Sequence, residues 1–261
     1  GSAANTTNGL SNLGIATAFI GKVGTDETGR FFEEDMLAAG IKPMLLKGKS
    51  LSGRALALVS PDSERTFAVH LGAAIELVPE EITADLFAGH THFHIEGYLV
   101  QDHALIERAL QLAKEANLTI SIDLASYNVV EENLEFLRRI VKEYVDIVFA
   151  NEEEAKAFTG KEPMEALNEI ATMAEIAIVK LGAEGSAVKS GESITTVGVA
   201  KANPIDTTGA GDMYAAGFLY GHAKGLSHKQ SGEIGALLSA KVIEVLGPKM
   251  DAPTWEILRK Q

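Results

Sequence analysis

An α/β fold with a mostly parallel central sheet, covered by helices on both faces and carrying a small β-hairpin, is what this sequence predicts. Three observations carry that expectation. From Glu76 onward, short apolar strand-like runs alternate with longer helix-like segments, and repeated β-α units of this kind build parallel sheets with two helical layers. Before Glu76, two β-rich runs flank Pro61-Asp62-Ser63-Glu64, a strong turn sequence, which predicts a hairpin. Finally, 46% of the 261 residues are hydrophobic, ample for a buried core.

The elements follow in chain order. A small-residue helix is expected over 5–13, with Gly1-Ser2 readable either as a cloning scar or as part of a tight helix start that puts Asn5 beside a ligand; no leader is expected before it. A strand over 16–20 comes next. In the turn 24–29, Asp26 or Thr28 is placed to cap a helix over 31–39 that Gly40 ends. The hairpin strands run over 54–60 and 65–71, with Leu56, Leu58 and Phe67 available for one face. Then come a helix over 79–87, a strand over 91–95, a helix over 104–116 and a strand over 119–123. A helix over 131–144 and a strand over 147–150 follow, then helices over 152–158 and 164–174. Strands over 176–181, 186–189 and 193–199 precede helices over 210–224 and 228–246, with a short terminal helix over 254–259.

Composition excludes several classes. A net charge of -13 with no basic run opposes binding to nucleic acid, which needs clustered Lys and Arg. No cysteine is present, which removes disulfides, thiolate metal sites and a cysteine nucleophile, and fits a reducing cytoplasm. No apolar run approaches the ~18 residues that cross a bilayer, so a soluble, cytoplasmic protein without membrane partners is expected.

The chemistry concentrates in Asp206-Thr207-Thr208-Gly209-Ala210-Gly211-Asp212. If a helix begins near Ala210, the N–H groups of Gly209, Ala210 and Gly211 lack partners within it and point at one spot, where the helix dipole also favours an anion. Asp212 then sits in the first turn beside an anion hole. Donors that hold a transferring phosphoryl group, next to a carboxylate that accepts the attacking hydroxyl's proton, suit phosphoryl transfer. The plainer explanation is a glycine-rich turn followed by an ordinary helix-start acid.

Ligands of open parallel sheets collect beyond the carboxyl ends of the strands. Four groups stand there: Glu96, Asp123, Asn151 with Glu154, and Gly182 with Gly185. Asn151 and Glu154 could order the water shell of magnesium, or be a capping Asn followed by solvated acids. The two glycines after Lys180 suit a hairpin turn as well as a nucleotide loop. His90, His92 and His94 alternate, a spacing that could bind zinc on one strand face; ordinary hydrogen-bonded histidines are the competing explanation.

Together these motifs resemble the ribokinase-like carbohydrate kinases, the PfkB family, which includes adenosine kinases. Residues 206–218 are similar to the family's second signature, 1–24 to part of its first, Asn151-Glu152-Glu153-Glu154 to its Asn-x-x-Glu element, and Gly182-Ala183-Glu184-Gly185 to its nucleotide loop. The resemblance implies a three-layer α/β/α, Rossmann-like kinase domain with a β lid at 54–71, and an ATP-dependent phosphotransferase acting on a primary hydroxyl of a sugar or ribonucleoside. It implies Asp212 as catalytic base, Gly209, Ala210 and Gly211 as anion hole, and Gly1, Asn5 and Glu96 on the sugar. Asn151 and Glu154 would organise magnesium and phosphates, with Lys180, Gly182 and Gly185 along the nucleotide. Asp206, Thr208, Val242, Val245 and Gly247 fall where several members bind a monovalent cation such as potassium, and Ala236 where some relatives read adenine. In several members the lids of two subunits pair, which implies a homodimer.

Members of the family normally carry a further segment before the first signature, so 1–261 is expected to be a single, N-terminally incomplete kinase domain. The hairpin start Ser52-Gly53-Arg54 and Tyr127-Asn128 look closer to the adenosine-kinase-like branch. A non-catalytic sugar or nucleotide sensor is the alternative that an incomplete site would favour. A dinucleotide-dependent oxidoreductase would need a Gly-x-Gly-x-x-Gly turn after an early strand, which is absent.

Overall fold

The computed structural model describes residues 1–59 and 65–260, so the turn expected at Pro61, Asp62, Ser63 and Glu64 lies outside the described residues. The chain opens on α1 (Ser2–Asn12), with Gly1 at its N-cap, followed by β1 (Thr17–Val23). Asp26 caps α2 (Glu27–Ala38) by accepting the Gly29 N–H at 3.1 Å. Next comes β2 (Ile41–Lys47), parallel to β1 and unexpected, because Pro43 interrupts an otherwise strand-like run. Among the described residues β1 is its only sheet neighbour, and an edge strand tolerates the missing proline N–H.

β3 (Ser52–Val59) and β4 (Arg65–Gly72) form the expected antiparallel hairpin as a sheet of their own. Register sets Leu56 against Ala68 and Leu58 against Thr66, while Phe67 pairs with Ala57. Phe67 therefore belongs to the row alternating with Leu56 and Leu58, not to theirs. The helix expected over 79–87 is instead two single turns, Pro79–Glu81 and Ala84–Leu86, with Ile82 and Thr83 extended between them. Two adjacent β-branched residues disfavour a continuous helix, and the break lets Ile82 and Phe87 both enter the core.

The main sheet has six strands in the order β10-β9-β8-β7-β6-β5. β5 (His92–Glu96), β6 (Thr119–Asp123), β7 (Ile147–Asn151) and β8 (Ile176–Lys180) run parallel. β9 (Ser186–Ser190) and β10 (Ser193–Val197) complete it antiparallel. Between the parallel strands lie α3 (His103–Glu115), α4 (Tyr127–Glu132), α5 (Leu134–Tyr144), α6 (Glu152–Thr159) and α7 (Pro163–Ile170). The single helix expected over 131–144 is cut at Asn133, whose side-chain amide donates to the Val129 carbonyl at 2.9 Å, the local bonding that makes Asn a poor helix-interior residue. After the sheet come α8 (Ala210–Ala223), α9 (His228–Val242) and α10 (Ala252–Leu258).

Strand alternation divides the core into two layers. Val148, Ala150, Ala177 and Val179 pack with residues of α3 to α7, while Ile147, Phe149, Ile176 and Ile178 meet Tyr214, Ala215, Phe218 and Leu219 of α8. Each buried Ile or Phe contributes roughly 1.5–3 kcal/mol, and a one-residue slip would exchange the two sets. That register is what aligns the polar strand ends. The β1-β2 pair is not hydrogen-bonded to the main sheet, and a cleft of about 2990 Å³ runs between β1 and β5 to the carboxyl ends of the parallel strands and the start of α8. No helix among the described residues is long and apolar enough to cross a membrane.

Candidate active site

The start of α8 matches expectation with one change. Gly209 is the N-cap with φ of +82°, and a Cβ there would fall 2.7 Å from Pro248 Cβ, so both backbone and space require glycine. Of the three N–H groups expected to be free, that of Ala210 donates to the Thr207 carbonyl at 3.3 Å. Those of Gly209 and Gly211 have no partner among the described residues and lie at the positive end of the helix dipole.

Asp212, in the first turn of α8, accepts a hydrogen bond on Oδ2 from Asn5 Nδ2 at 2.7 Å. Asn5, expected on the sugar, is thus tied to Asp212, and Asp212 Oδ1 has no protein partner among the described residues. Burial, reinforced by the Glu96 charge, pushes the Asp212 carboxyl up to about 6, with the Asn5 hydrogen bond opposing. A carboxyl raised in this way lies closer to the range where general-base chemistry is efficient.

Sheet register sets Glu96 beside Asp123 and Asn151 beside Lys180. Lys180 Nζ donates to Asp123 Oδ2 at 2.6 Å, an ion pair with both side chains nearly buried. Burial alone would lower the Lys180 ammonium, but the Asp123, Glu154 and Glu96 carboxylates hold it above its ordinary value. Its Nζ lies 3.2 Å from where a Cβ on Gly211 would be, so the positive charge sits at the N-terminus of α8. The sequence placed Lys180 along the nucleotide and left its partner Asp123 without a role.

Asn151 and Glu154 form a reciprocal capping box on α6: Asn151 Oδ1 accepts the Glu154 N–H at 2.8 Å, and Glu154 Oε2 accepts the Asn151 N–H at 2.8 Å. Asn151 Nδ2 also donates to Glu154 Oε1 at 2.7 Å. The box turns Glu154 inward, so it is only 3% exposed, unlike the solvated Glu152 and Glu153. Burial first and the Asp123 charge second push its carboxyl up to about 7. Glu96, Asp123, Glu154 and Asp212 therefore face one cleft, in which Lys180 pairs with Asp123, an excess of negative charge that suits a hydrated cation. Among the described residues no group of three His, Cys, Asp or Glu side chains could cage a metal directly.

The remaining expected residues fall as follows. Gly1, at the N-cap of α1, and Gly182 line the cleft. Gly185 has φ of +97° and leaves no room for a side chain, since its Cβ would meet the Val197 carbonyl oxygen at 2.0 Å. Asp206 Oδ1 accepts from Thr208 N at 2.9 Å and Oγ1 at 2.6 Å, and its Oδ2 accepts from Gly247 N at 2.9 Å. These three residues meet, while the Val242 carbonyl accepts the Val245 N–H at 3.3 Å. Ala236 lines the cleft. The histidines do not converge: His92 Nδ1 lies 2.9 Å from Thr91 Oγ1, whereas His94 lies between Ser121 and Glu96. Thr6, which reaches Glu96 Oε1 at 3.3 Å, was not anticipated; its place one residue after Asn5 on α1 was the available signal.

Comparison with known proteins places the chain in a family. The family described as pfkB family carbohydrate kinase matches residues 1–255. The chain belongs to the PfkB carbohydrate kinase family. An uncharacterised sugar kinase of Archaeoglobus fulgidus is 31% identical over 247 residues, 94% of this chain and 98% of the relative. A 5-dehydro-2-deoxygluconokinase of Listeria monocytogenes is 29% identical, over 93% of this chain and 80% of its own. In solved structures, the adenosine kinase of Sinorhizobium meliloti superposes with a TM-score of 0.93 at 34% identity, covering 100% of this chain and 82% of that one. The PfkB fold, ribokinase-like with its mostly parallel sheet, is therefore as expected, and the protein is an enzyme, a sugar or nucleoside kinase.

Proposed function

We propose that this PfkB kinase transfers the γ-phosphoryl group of ATP to a primary hydroxyl of a sugar or ribonucleoside, with Asp212 as general base. The observation that carries the reading is the Asp212 carboxylate, one oxygen fixed by Asn5 and the other without a partner among the described residues, directly after Gly209-Ala210-Gly211. Asp212 Oδ1 takes the proton as the hydroxyl oxygen attacks phosphorus in line and the bond to ADP breaks. Lys180 and the N–H groups of Gly209 and Gly211 face the charge that spreads over the transferring oxygens. Glu96 and Gly1 contact the acceptor, and Gly182 and Gly185 border the nucleotide. A panel of sugars and nucleosides, adenosine and 5-dehydro-2-deoxygluconate among them, assayed with labelled ATP, tests this. Phosphorylation of one panel member is expected; ATP hydrolysis without transfer to any acceptor counts against it. The absence of cysteine supports a cytoplasmic setting.

Cations belong to the same proposal. Magnesium, held through water by Asn151 and Glu154, would supply neutralising charge to the phosphates. Glu154→Gln is expected to raise the magnesium needed for half-maximal activity about tenfold, the scale for an indirect metal contact. An unchanged requirement removes Glu154 from the site. The corner formed by Asp206, Thr208 and Gly247 supports a monovalent-cation position, for which replacing potassium by a bulky organic cation should lower turnover; equal rates exclude it.

The hairpin supports a lid. Arg54, Ala55, Val69 and His70 line the cleft, while Leu56 and Leu58 remain 61% and 54% exposed, surface that pairing of two lids in a homodimer would cover. A lone two-stranded hairpin is marginal in water, and closure excludes water that would compete for the phosphoryl group. Hydrogen exchange in β3 and β4 should slow when ATP and acceptor are saturating. Equal exchange with and without them would mean the hairpin is no lid.

A further inference from the structure

We infer that His94 is a positioning residue, held by Ser121, that locks Glu96 so that one defined oxygen faces the acceptor; this rests on the reading above that Glu96 contacts the acceptor. His94 projects from β5 with its two ring nitrogens on different partners. Nδ1 lies 2.8 Å from Ser121 Oγ on the neighbouring strand β6, and Nε2 lies 3.3 Å from Glu96 Oε1. Thr6 Oγ1 of α1 donates to the same Oε1, also at 3.3 Å. Two donors from two elements thus converge on Oε1, while Oε2 has no protein partner among the described residues.

Ser121 determines how the imidazole is protonated. It is only 2% exposed, and among the described residues His94 is the sole hydrogen-bond partner of its hydroxyl. A buried O–H needs an acceptor, so Nδ1 accepts from Ser121 and the ring proton resides on Nε2. Nε2–H then donates to Glu96, which as a carboxylate can only accept. The His94 ring is further fixed by an edge contact with Phe149, centroids 6.1 Å apart. Proton direction therefore runs from Ser121 to His94 to Glu96, ending on the oxygen turned away from the acceptor.

The arrangement parallels that of the base. Consecutive residues of α1, Asn5 and Thr6, each hold one oxygen of a cleft carboxylate, Asp212 and Glu96 respectively. In both carboxylates the second oxygen stays open. For Asp212 that oxygen takes a proton; for Glu96 it accepts a hydrogen bond from an acceptor hydroxyl and so selects a polyhydroxylated substrate.

Two measurements on the full chain test this. Nitrogen-15 NMR of histidine-labelled protein without substrate should show His94 neutral at pH 7.5 with its proton on Nε2, and Ser121→Ala should perturb that signal. A proton on Nδ1, or on both nitrogens, overturns the relay whether or not the kinase reading holds. With the panel acceptor that the wild type phosphorylates, His94→Leu should raise the acceptor KM about tenfold, the loss expected for one hydrogen-bonded contact, with the ATP KM unchanged. His94→Gln, which keeps a donor for Glu96, should recover most of that loss. An unchanged acceptor KM in folded His94→Leu, or equal defects in both variants, overturns the positioning role. If the wild type phosphorylates no acceptor, the function reading fails, and the NMR result alone decides the relay.

Discussion

Asp212→Asn should lower turnover by about 10²-fold or more, the usual scale for loss of a positioned general base, while leaving ATP binding and the fold in place. Asparagine still accepts from Asn5 through its carbonyl but cannot take a proton. The pH dependence has a definite sign. Because burial and the Glu96 charge raise the Asp212 carboxyl to about 6, wild-type kcat/KM should hold above that value and fall as pH drops through it. Stability runs the other way. A carboxyl whose folded-state value is raised prefers to be neutral in the fold, so its stabilising contribution is complete below the unfolded-chain value and is lost as pH rises through about 6. The variant should therefore be at least as stable as wild type at pH 8, which separates loss of the base from loss of the fold. A folded Asp212→Asn with near-normal turnover would take Asp212 out of the chemistry.

The start of α8 was legible because its signal is local. Glycine, alanine and glycine before an acid at a helix start specify caps, dipole and proximity within a few residues, and the capping box of Asn151 and Glu154 is likewise written in four positions. The strands from β6 to β10 were recoverable from their short apolar runs. What escaped was non-local or hidden by a single residue. Pro43 masked β2, Asn133 divided α4 from α5, and Ile82 with Thr83 broke a helix pattern into two turns. The pairing of Lys180 with Asp123 spans 57 positions and requires the strand order, since β6 and β8 flank β7 and their shared parallel direction brings both carboxyl ends to one edge of the sheet. His94 was read against His90 and His92 as a set; its real partners, Ser121 and Glu96, were visible only once β5 and β6 had a register. Glu154 was the converse case, where a solvated acid run was the simpler expectation and the capping geometry turned one member inward.

Lys180→Met should produce the largest loss of stability in the molecule outside the apolar core. The ammonium pairs with Asp123 in a cleft that Glu96, Glu154 and Asp212 also face, and its removal leaves Asp123, only 5% exposed, without that cationic partner. Breaking one side of such a pair costs about 3–5 kcal/mol, far more than the pair's net contribution, because the surviving charge keeps its desolvation cost. The cost should depend on pH. Glu154 is already raised to about 7 by burial and by Asp123, and a carboxyl raised in the fold regains its contribution as pH falls below that value. The destabilisation should therefore be large at pH 8 and shrink toward pH 5.5, as protonation removes the repulsion that Lys180 had offset. Adding Asp123→Asn to Lys180→Met should restore much of the stability at pH 8 without restoring turnover, since the charge beside Gly211 is still missing. Urea unfolding of the two single variants and the double variant at both pH values measures the coupling directly. A Lys180→Met midpoint equal to wild type at pH 8, or a double variant no more stable than the single, would show that the pair does not hold the site together.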